Sequence, residues 1–261
     1  MGVSERRRFF DRDPDAYRHA RPPYPPRVFE ILAAECGLGP GSRVLEIGAG
    51  TGQATGQLLA RGAEVVAVEP GAGLARVLAE RFAGQPLTAV VADFEHAEVP
   101  AGPYDLAVSA TAFHWVDPAV ALPKLASLLK PGATLAVWWT VFGDPERPTD
   151  FRRALDDLYA RHLPHERRDG TPGPLRVGSW SDELRGGGWF GPVTVDLIRW
   201  TQRLTAAQAR LLWSSFPNVG ELPPPQREAF LDALAAAVAD HGAVVDDPRV
   251  TALYRTGTGP A

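Results

Sequence analysis

Apolar and polar positions along the chain change rhythm near residue 43, where short β-type apolar runs begin to alternate with amphipathic helical stretches. Such alternation predicts parallel strands joined by right-handed crossovers. Strands are expected at 43–47, 64–69, 87–91, 104–110 and 134–141. Between them Leu74, Val77, Leu78 and Phe82 fall on one helical face with Gly84 as a stop, and Leu122, Leu125, Leu128 and Leu129 repeat the pattern before Pro131 and Gly132. Upstream, Val28, Ile31 and Leu32 predict a short helix ending at Gly37 or Gly39. Residues 17–29 carry Arg21-Pro22-Pro23-Tyr24-Pro25-Pro26, which predicts an ordered arm and neither regular helix nor central strand.

Beyond residue 141 the rhythm is less regular. A helix is expected at 151–163, an irregular stretch rich in Pro, Gly and Arg at 164–180, and a turn at Gly186–Gly188. Alternating Val193, Val195 and Leu197 predict a strand at 192–200, and 250–254 reads as a short final strand. Two helices at 205–216 and 225–240 lie between those strands and form a helical cap over about residues 203–241. Residues 1–261 are expected to form a single domain, with an arm and helix over 1–40, a core over 41–143, and the remaining sheet and cap over 144–261.

Composition narrows the class. With 45% hydrophobic and 22% charged residues, the chain is an ordinary globular protein rather than a disordered or fibrous one. A formal charge of −4 is too even for the basic stripe that many phosphate contacts need, so nucleic acid is not an expected partner. Of the 27 basic side chains only Lys124 and Lys130 are lysines, leaving 25 arginines, a bias that reads as base composition. Cys36 is the one cysteine, which rules out an intrachain disulfide and a multi-cysteine metal site, and the cytoplasm is the default compartment. Arg6, Arg7 and Arg8 read as solvated, and the following Asp11, Asp13 and Asp15 interrupt any signal-peptide pattern. Apolar runs fall short of the roughly 20 residues of a membrane span, so no membrane association is expected.

The chemistry concentrates in Glu46-Ile47-Gly48-Ala49-Gly50-Thr51-Gly52 after the first strand, with a helical stretch at 53–60. Glycine at alternate positions permits a sharp turn and close approach of a ligand to main chain. The spacing departs from the G-x-G-x-x-G dinucleotide fingerprint, and the carboxylate of Glu46 suits an ammonium group better than a pyrophosphate. Glu46 has a second reading, as a partner of loop amides. Glu69 ends the second strand 17 residues past Gly52, a place from which an acidic side chain accepts hydrogen bonds from a ribose. Asp93 and Phe94 follow the third strand, offering an acceptor for an exocyclic amine and an apolar surface for a purine.

This ordered set resembles the class I S-adenosylmethionine-dependent methyltransferases, of the methyltransferase type 11 group. The residues that carry the likeness are 44–52, 66–69, Ala92-Asp93-Phe94, and the stretch from Tyr104-Asp105-Leu106 to Phe113-His114-Trp115. The arm and the Phe113-His114-Trp115 triplet further resemble small-molecule enzymes similar to trans-aconitate methyltransferase. The likeness implies a Rossmann-like, doubly wound, mostly parallel seven-stranded α/β sheet whose antiparallel last strand, here 250–254, inserts beside the fifth. It implies S-adenosylmethionine as cofactor, with Gly48, Gly50 and Gly52 against the methionine part, Glu46 orienting the loop and the amino end, Glu69 on the ribose, and Asp93 with Phe94 at the adenine. Ala49, Gln53, Pro70 and Ala110 complete the implied contacts, and Arg21 would pair with the cofactor carboxylate.

The expected reaction is methylation of a small-molecule metabolite, on a carboxylate or hydroxyl oxygen. A carboxylate is already nucleophilic, whereas a hydroxyl must lose a proton. His114 is the candidate base, and its structural reading, fixing a turn, is the preferred one. Tyr24, His114, Trp115, Trp139 and Trp213 are the candidate acceptor-pocket residues, and for the tryptophans core packing is the competing explanation. The arm has a lid reading and a packing reading. No metal is expected. Two alternatives stay open: the same fold binding the cofactor as a cyclase or binding module without methyl transfer, and, against the glycine spacing, a nicotinamide oxidoreductase.

Overall fold

The computed structural model describes residues 10–165 and 170–259. Arg6, Arg7 and Arg8 lie outside the described residues. The described chain carries seven strands: β1 Arg43–Ile47, β2 Glu64–Val68, β3 Leu87–Val90, β4 Tyr104–Ala110, β5 Leu129–Phe142, β6 Phe190–Thr205 and β7 Val244–Thr258. Its helices are α1 Pro14–Ala20, α2 Pro26–Glu35, α3 Thr55–Leu59, α4 Ala72–Arg81, α5 Pro118–Leu128, α6 Asp150–His162, α7 Val177–Leu184, α8 Ala206–Ser214, α9 Pro217–Gly220 and α10 Pro224–Asp240. The strands form one sheet in the order β3-β2-β1-β4-β5-β7-β6, parallel from β3 to β5 and antiparallel through β5-β7-β6. The final strand therefore lies beside the fifth, as the family likeness implies.

Two compact units can be distinguished. One contains residues 23–140, 174–198 and 251–261, and the other residues 1–22, 141–173 and 199–250. In the first, the central strand β1 is apolar on both faces because helices cover both. Val44 joins Val65, Leu106 and Trp138 in a core with α2, α3 and α4, while Leu45 and Ile47 join Val66, Ala107 and Trp139 in a core with α5. The second unit has its own core, built by Phe151, Leu155 and Tyr159 of α6, Leu212 and Trp213 of α8, and Phe230, Leu231 and Leu234 of α10.

Several expectations are corrected. The arm expected at 17–29 is helical at both ends. Asp13 caps α1 by accepting from Ala16 N–H at 2.9 Å, and α2 begins at Pro26, so only residues 21–25 are extended. Prolines 14 and 26 occupy first-turn positions, where a missing N–H costs nothing. The stretch 164–180, expected to be irregular, includes the start of α7. Strands β6 and β7 extend well past 192–200 and 250–254. In β7 the extra length hides behind polar residues: Asp247 and Arg249 are fully buried, which is possible because they pair with each other and Asp247 also pairs with Arg152.

Candidate active site

Parallel pairing of β1 with β2 and β4, and of β2 with β3, puts their carboxyl ends on one rim. Strand order reverses between β1 and β4, the position where open α/β sheets bind ligands. The loop after β1 turns on Gly48, Gly50 and Gly52 at φ of +70°, +57° and +88°. A Cβ on Gly48 would stand 2.3 Å from Cβ of Ala112, just past β4, so glycine here lets two strand ends meet. A Cβ on Gly52 would strike Phe82 and Leu78 of α4 at 2.5 and 2.6 Å. Gly52 is buried and packs the loop onto that helix, while Gly48, Gly50 and Gln53 are half-buried and Ala49 is buried. Arg81 at the end of α4 adds a clamp, its Nη1 donating to the carbonyl of Thr51 at 3.0 Å.

The amides of the three loop glycines are already used. Gly48 N–H donates to Val68 O at 2.8 Å, Gly52 N–H to Ala49 O at 3.0 Å, and Gly50 N–H to Glu69 Oε2 at 2.8 Å. Glu69 Oε1 accepts from Gly71 N–H at 2.9 Å, at the start of α4. Glu69 is thus a structural clamp between loop and helix, a role its sequence position did not reveal. Pro70, between these two contacts, is exposed.

Glu46 is the anomaly of the site. It sits within the buried strand β1 at 1% exposure. Its Oε2 accepts from Thr55 Oγ1 at 2.6 Å, and its Oε1 is buried without a hydrogen-bond partner. Burial pushes its pKa from 4.5 to about 8, with the Thr55 hydrogen bond opposing and the nearby charge of Glu69 adding to the rise. Thr55, at the start of α3, meets Glu46 with both its hydroxyl and its backbone amide, so the amide reading of Glu46 holds at the helix start.

Downstream, Asp93 is exposed after β3, but the Phe94 ring is buried at 3% exposure in the α5-side core, with Lys124 Nζ 4.9 Å above it. Lys124 holds the backbone here by donating to the carbonyls of Phe94 and Ala97 at 2.7 and 2.6 Å. At the end of β4, half-buried Ala110 leads into Thr111, a β-branched residue at φ +60° whose hydroxyl accepts from Tyr24 OH at 3.0 Å. A side chain held there signals backbone strain of the kind that clusters at functional sites. Tyr24 stands edge-on to Trp138 at 5.6 Å. His114 follows on a single turn, exposed, with its ring 4.7 Å from half-buried Trp115. The indole N–H of Trp139 donates to His114 Nδ1 at 2.9 Å. Trp139 is itself buried, stacked 4.1 Å from Trp180.

The structure brings Glu46, the glycine loop, Glu69, Tyr24, His114 and Trp115 into one unit. Two expected site residues lie in the other. Arg21 donates through Nη2 to Ser215 O at 3.0 Å and packs over Phe216 at 4.5 Å, and Trp213 is a core residue at 1% exposure. Thr55, Thr111 and Lys124 were missed by sequence reasoning. Their partners are 9, 87 and 30 residues away, and no local pattern announces such contacts.

Comparison with known proteins agrees with this geometry. A methyltransferase domain model matches residues 45–137. An uncharacterised methyltransferase of Mycobacterium tuberculosis H37Rv is 30% identical over 241 residues, covering 92% of this chain and 90% of that protein. One from Schizosaccharomyces pombe is 27% identical, covering 85% and 83%. Among solved structures, a protein described as a type II methyltransferase from Anaeromyxobacter dehalogenans superposes with a TM-score of 0.66 at 24% identity, over 92% of this chain and 99% of that one. Haemonchus contortus phosphoethanolamine N-methyltransferase 2, solved with S-adenosylhomocysteine, gives 0.58 at 15%, over 100% and 61%. With this coverage, the rim of glycine loop and carboxylates has a family: the chain belongs to the class I S-adenosylmethionine-dependent methyltransferases.

Proposed function

We propose that the chain methylates an oxygen of a small-molecule metabolite, a carboxylate or a hydroxyl, and that S-adenosylmethionine sits on the rim of β1, β2 and β3. The observation that carries the donor site is the buried Oε1 of Glu46 without a hydrogen-bond partner, at the foot of a loop whose glycine amides are engaged. Such a site asks for a cation and has few donors for a pyrophosphate. Glu46 would face the amino end, Gly48, Gly50 and Gln53 the methionine part, Glu69 the ribose, and Asp93 the adenine amine. When bound, the cofactor supplies a methyl group on a sulfonium, open to in-line displacement. The protein's own work is alignment and exclusion of water.

The His114 contact supports an oxygen acceptor that needs no base. Indole N–H only donates, so Nδ1 of His114 is the accepting nitrogen and the neutral ring carries its proton on Nε2. In that tautomer the ring offers a donor, suited to holding a carboxylate oxygen. Trp115 supplies an apolar wall beside it, and Tyr24 is fixed by Thr111. The test is incubation of the purified protein with S-adenosylmethionine and a panel of carboxylate and hydroxyl metabolites, read by mass spectrometry. The expected result is one added methyl on an oxygen with matching S-adenosylhomocysteine. Methylation confined to nitrogen or carbon acceptors, or none with any of them, overturns the reading.

A further inference from the structure

The helical unit holds a second set of unmatched groups, none of them among the rim residues just described. Arg249 of β7 is fully buried. Its Nε donates to Asp247 Oδ2 at 2.9 Å, and its faces are covered by Phe142 and Trp200, with Cζ 4.6 and 5.4 Å from the ring centres. The two terminal nitrogens, Nη1 and Nη2, have no hydrogen-bond partner. Cation–π contact satisfies the faces of the guanidinium but not its edge.

The neighbours repeat the imbalance. Phe142 meets Phe216 edge-on at 4.9 Å, and Arg21 lies over the other ring at 4.5 Å with its Nε buried and unpartnered. Trp213, 6.0 Å from Phe216, has a buried indole N–H without a partner. Arg152 lies 5.7 Å from the Trp213 ring and shares Asp247 with Arg249, donating to it through Nε at 2.5 Å. Two guanidinium groups therefore share one carboxylate, Arg21 adds to the positive charge felt by Arg249, and every unmatched atom on Arg249, Arg21 and Trp213 is a donor. Burial lowers the Arg249 pKa to about 10, Asp247 opposing and Arg152 and Arg21 adding, so the group remains a cation near neutrality. A buried cation with an unmet edge is costly unless an anion completes it.

We propose that this cluster binds a small-molecule carboxylate, held by the Nη1/Nη2 fork of Arg249 with Arg21 and Trp213 as further donors. A planar carboxylate accepts two parallel bonds from such a fork, which a lysine could not supply. Half-buried Arg21 is the member that reaches the surface of the unit, so entry runs past it. The site stands independently of the methylation reading, because its ligand is detected without turnover. The ligand expected is a free carboxylate metabolite held within this unit.

Calorimetry and thermal shift on the whole protein test this with succinate and citrate, each added alone. Saturable binding of succinate or citrate, weakened at least about tenfold in Arg249→Met, is the expected result. Arg249→Met leaves Asp247 paired with Arg152 alone and should melt below wild type without ligand. Should it fail to fold, Arg249→Lys and Arg21→Met give the same reading, with weakening of at least about threefold. Absence of binding by both probes, or equal affinities in wild type and variants, overturns the proposal.

Discussion

Replacing Glu46 by Gln separates the charge of that carboxylate from its shape. In the ligand-free protein Glu46 titrates near pH 8, against 4.5 for an ordinary glutamate. A raised folded-state pKa means that the folded protein binds the proton more tightly than the unfolded chain does. Its contribution is fully present below about pH 4.5 and is lost as pH rises through about 8. At about 1.36 kcal/mol per pH unit the full swing is roughly 5 kcal/mol. Unfolding of the wild type by urea should therefore show stability falling across that window, and Glu46→Gln should flatten the fall. Ligand binding adds the decisive half. At pH 7 the side chain is about nine-tenths protonated, and a cationic amino end at Oε1 would favour the ionised form. S-adenosylhomocysteine should then release close to one proton per molecule bound, read by calorimetry in buffers of different ionisation enthalpy. Affinity should rise severalfold per pH unit between about 6 and 8, and Glu46→Gln should abolish both effects. Tight binding with no proton release in any buffer would refute the pairing of Glu46 with the amino end.

Other substitutions test the remaining contacts. Gly48→Ala meets Ala112 and carries φ +70°, so it should destabilise by about 2–4 kcal/mol in denaturant titration, and adding Ala112→Gly should recover only the steric part. Glu69→Gln loses an acceptor for one of the amides of Gly50 and Gly71, and should cost about 1–3 kcal/mol in stability and weaken S-adenosylhomocysteine binding in calorimetry. Asp93→Ala, at an exposed position, should change stability by less than about 0.5 kcal/mol yet raise the Kd for the same ligand. Trp139→Phe removes the donor to His114 and should lower kcat in the methylation assay more than it raises KM, with His114→Gln less impaired than His114→Ala.

The strands β1 to β4 and the glycine turn were legible because their signals are local. Four successive buried residues in β1, alternate glycines and an acidic residue after β2 follow from neighbours in sequence. What each acidic side chain does was not legible. Glu46 and Glu69 look alike in sequence, one at the end of each apolar run, yet one keeps an orphaned oxygen and the other bridges two amides. Phe94 reads as a ring on the rim and is a buried support. Arg21 reads as a cofactor contact and packs over Phe216 within the helical unit.

Sequence alone determined the α/β class, the order of the first strands, the family and the place of the glycine loop, since periodicity and glycine spacing are properties of short segments. Tertiary structure decided the length of β6 and β7, the tautomer of His114, the partner of Glu46 and the meeting of Arg152 and Arg249 at Asp247. Those outcomes depend on which polar groups lose water together and which partner each then finds. Partners such as Arg152 and Asp247 lie 95 residues apart, so only the folded chain brings them within reach.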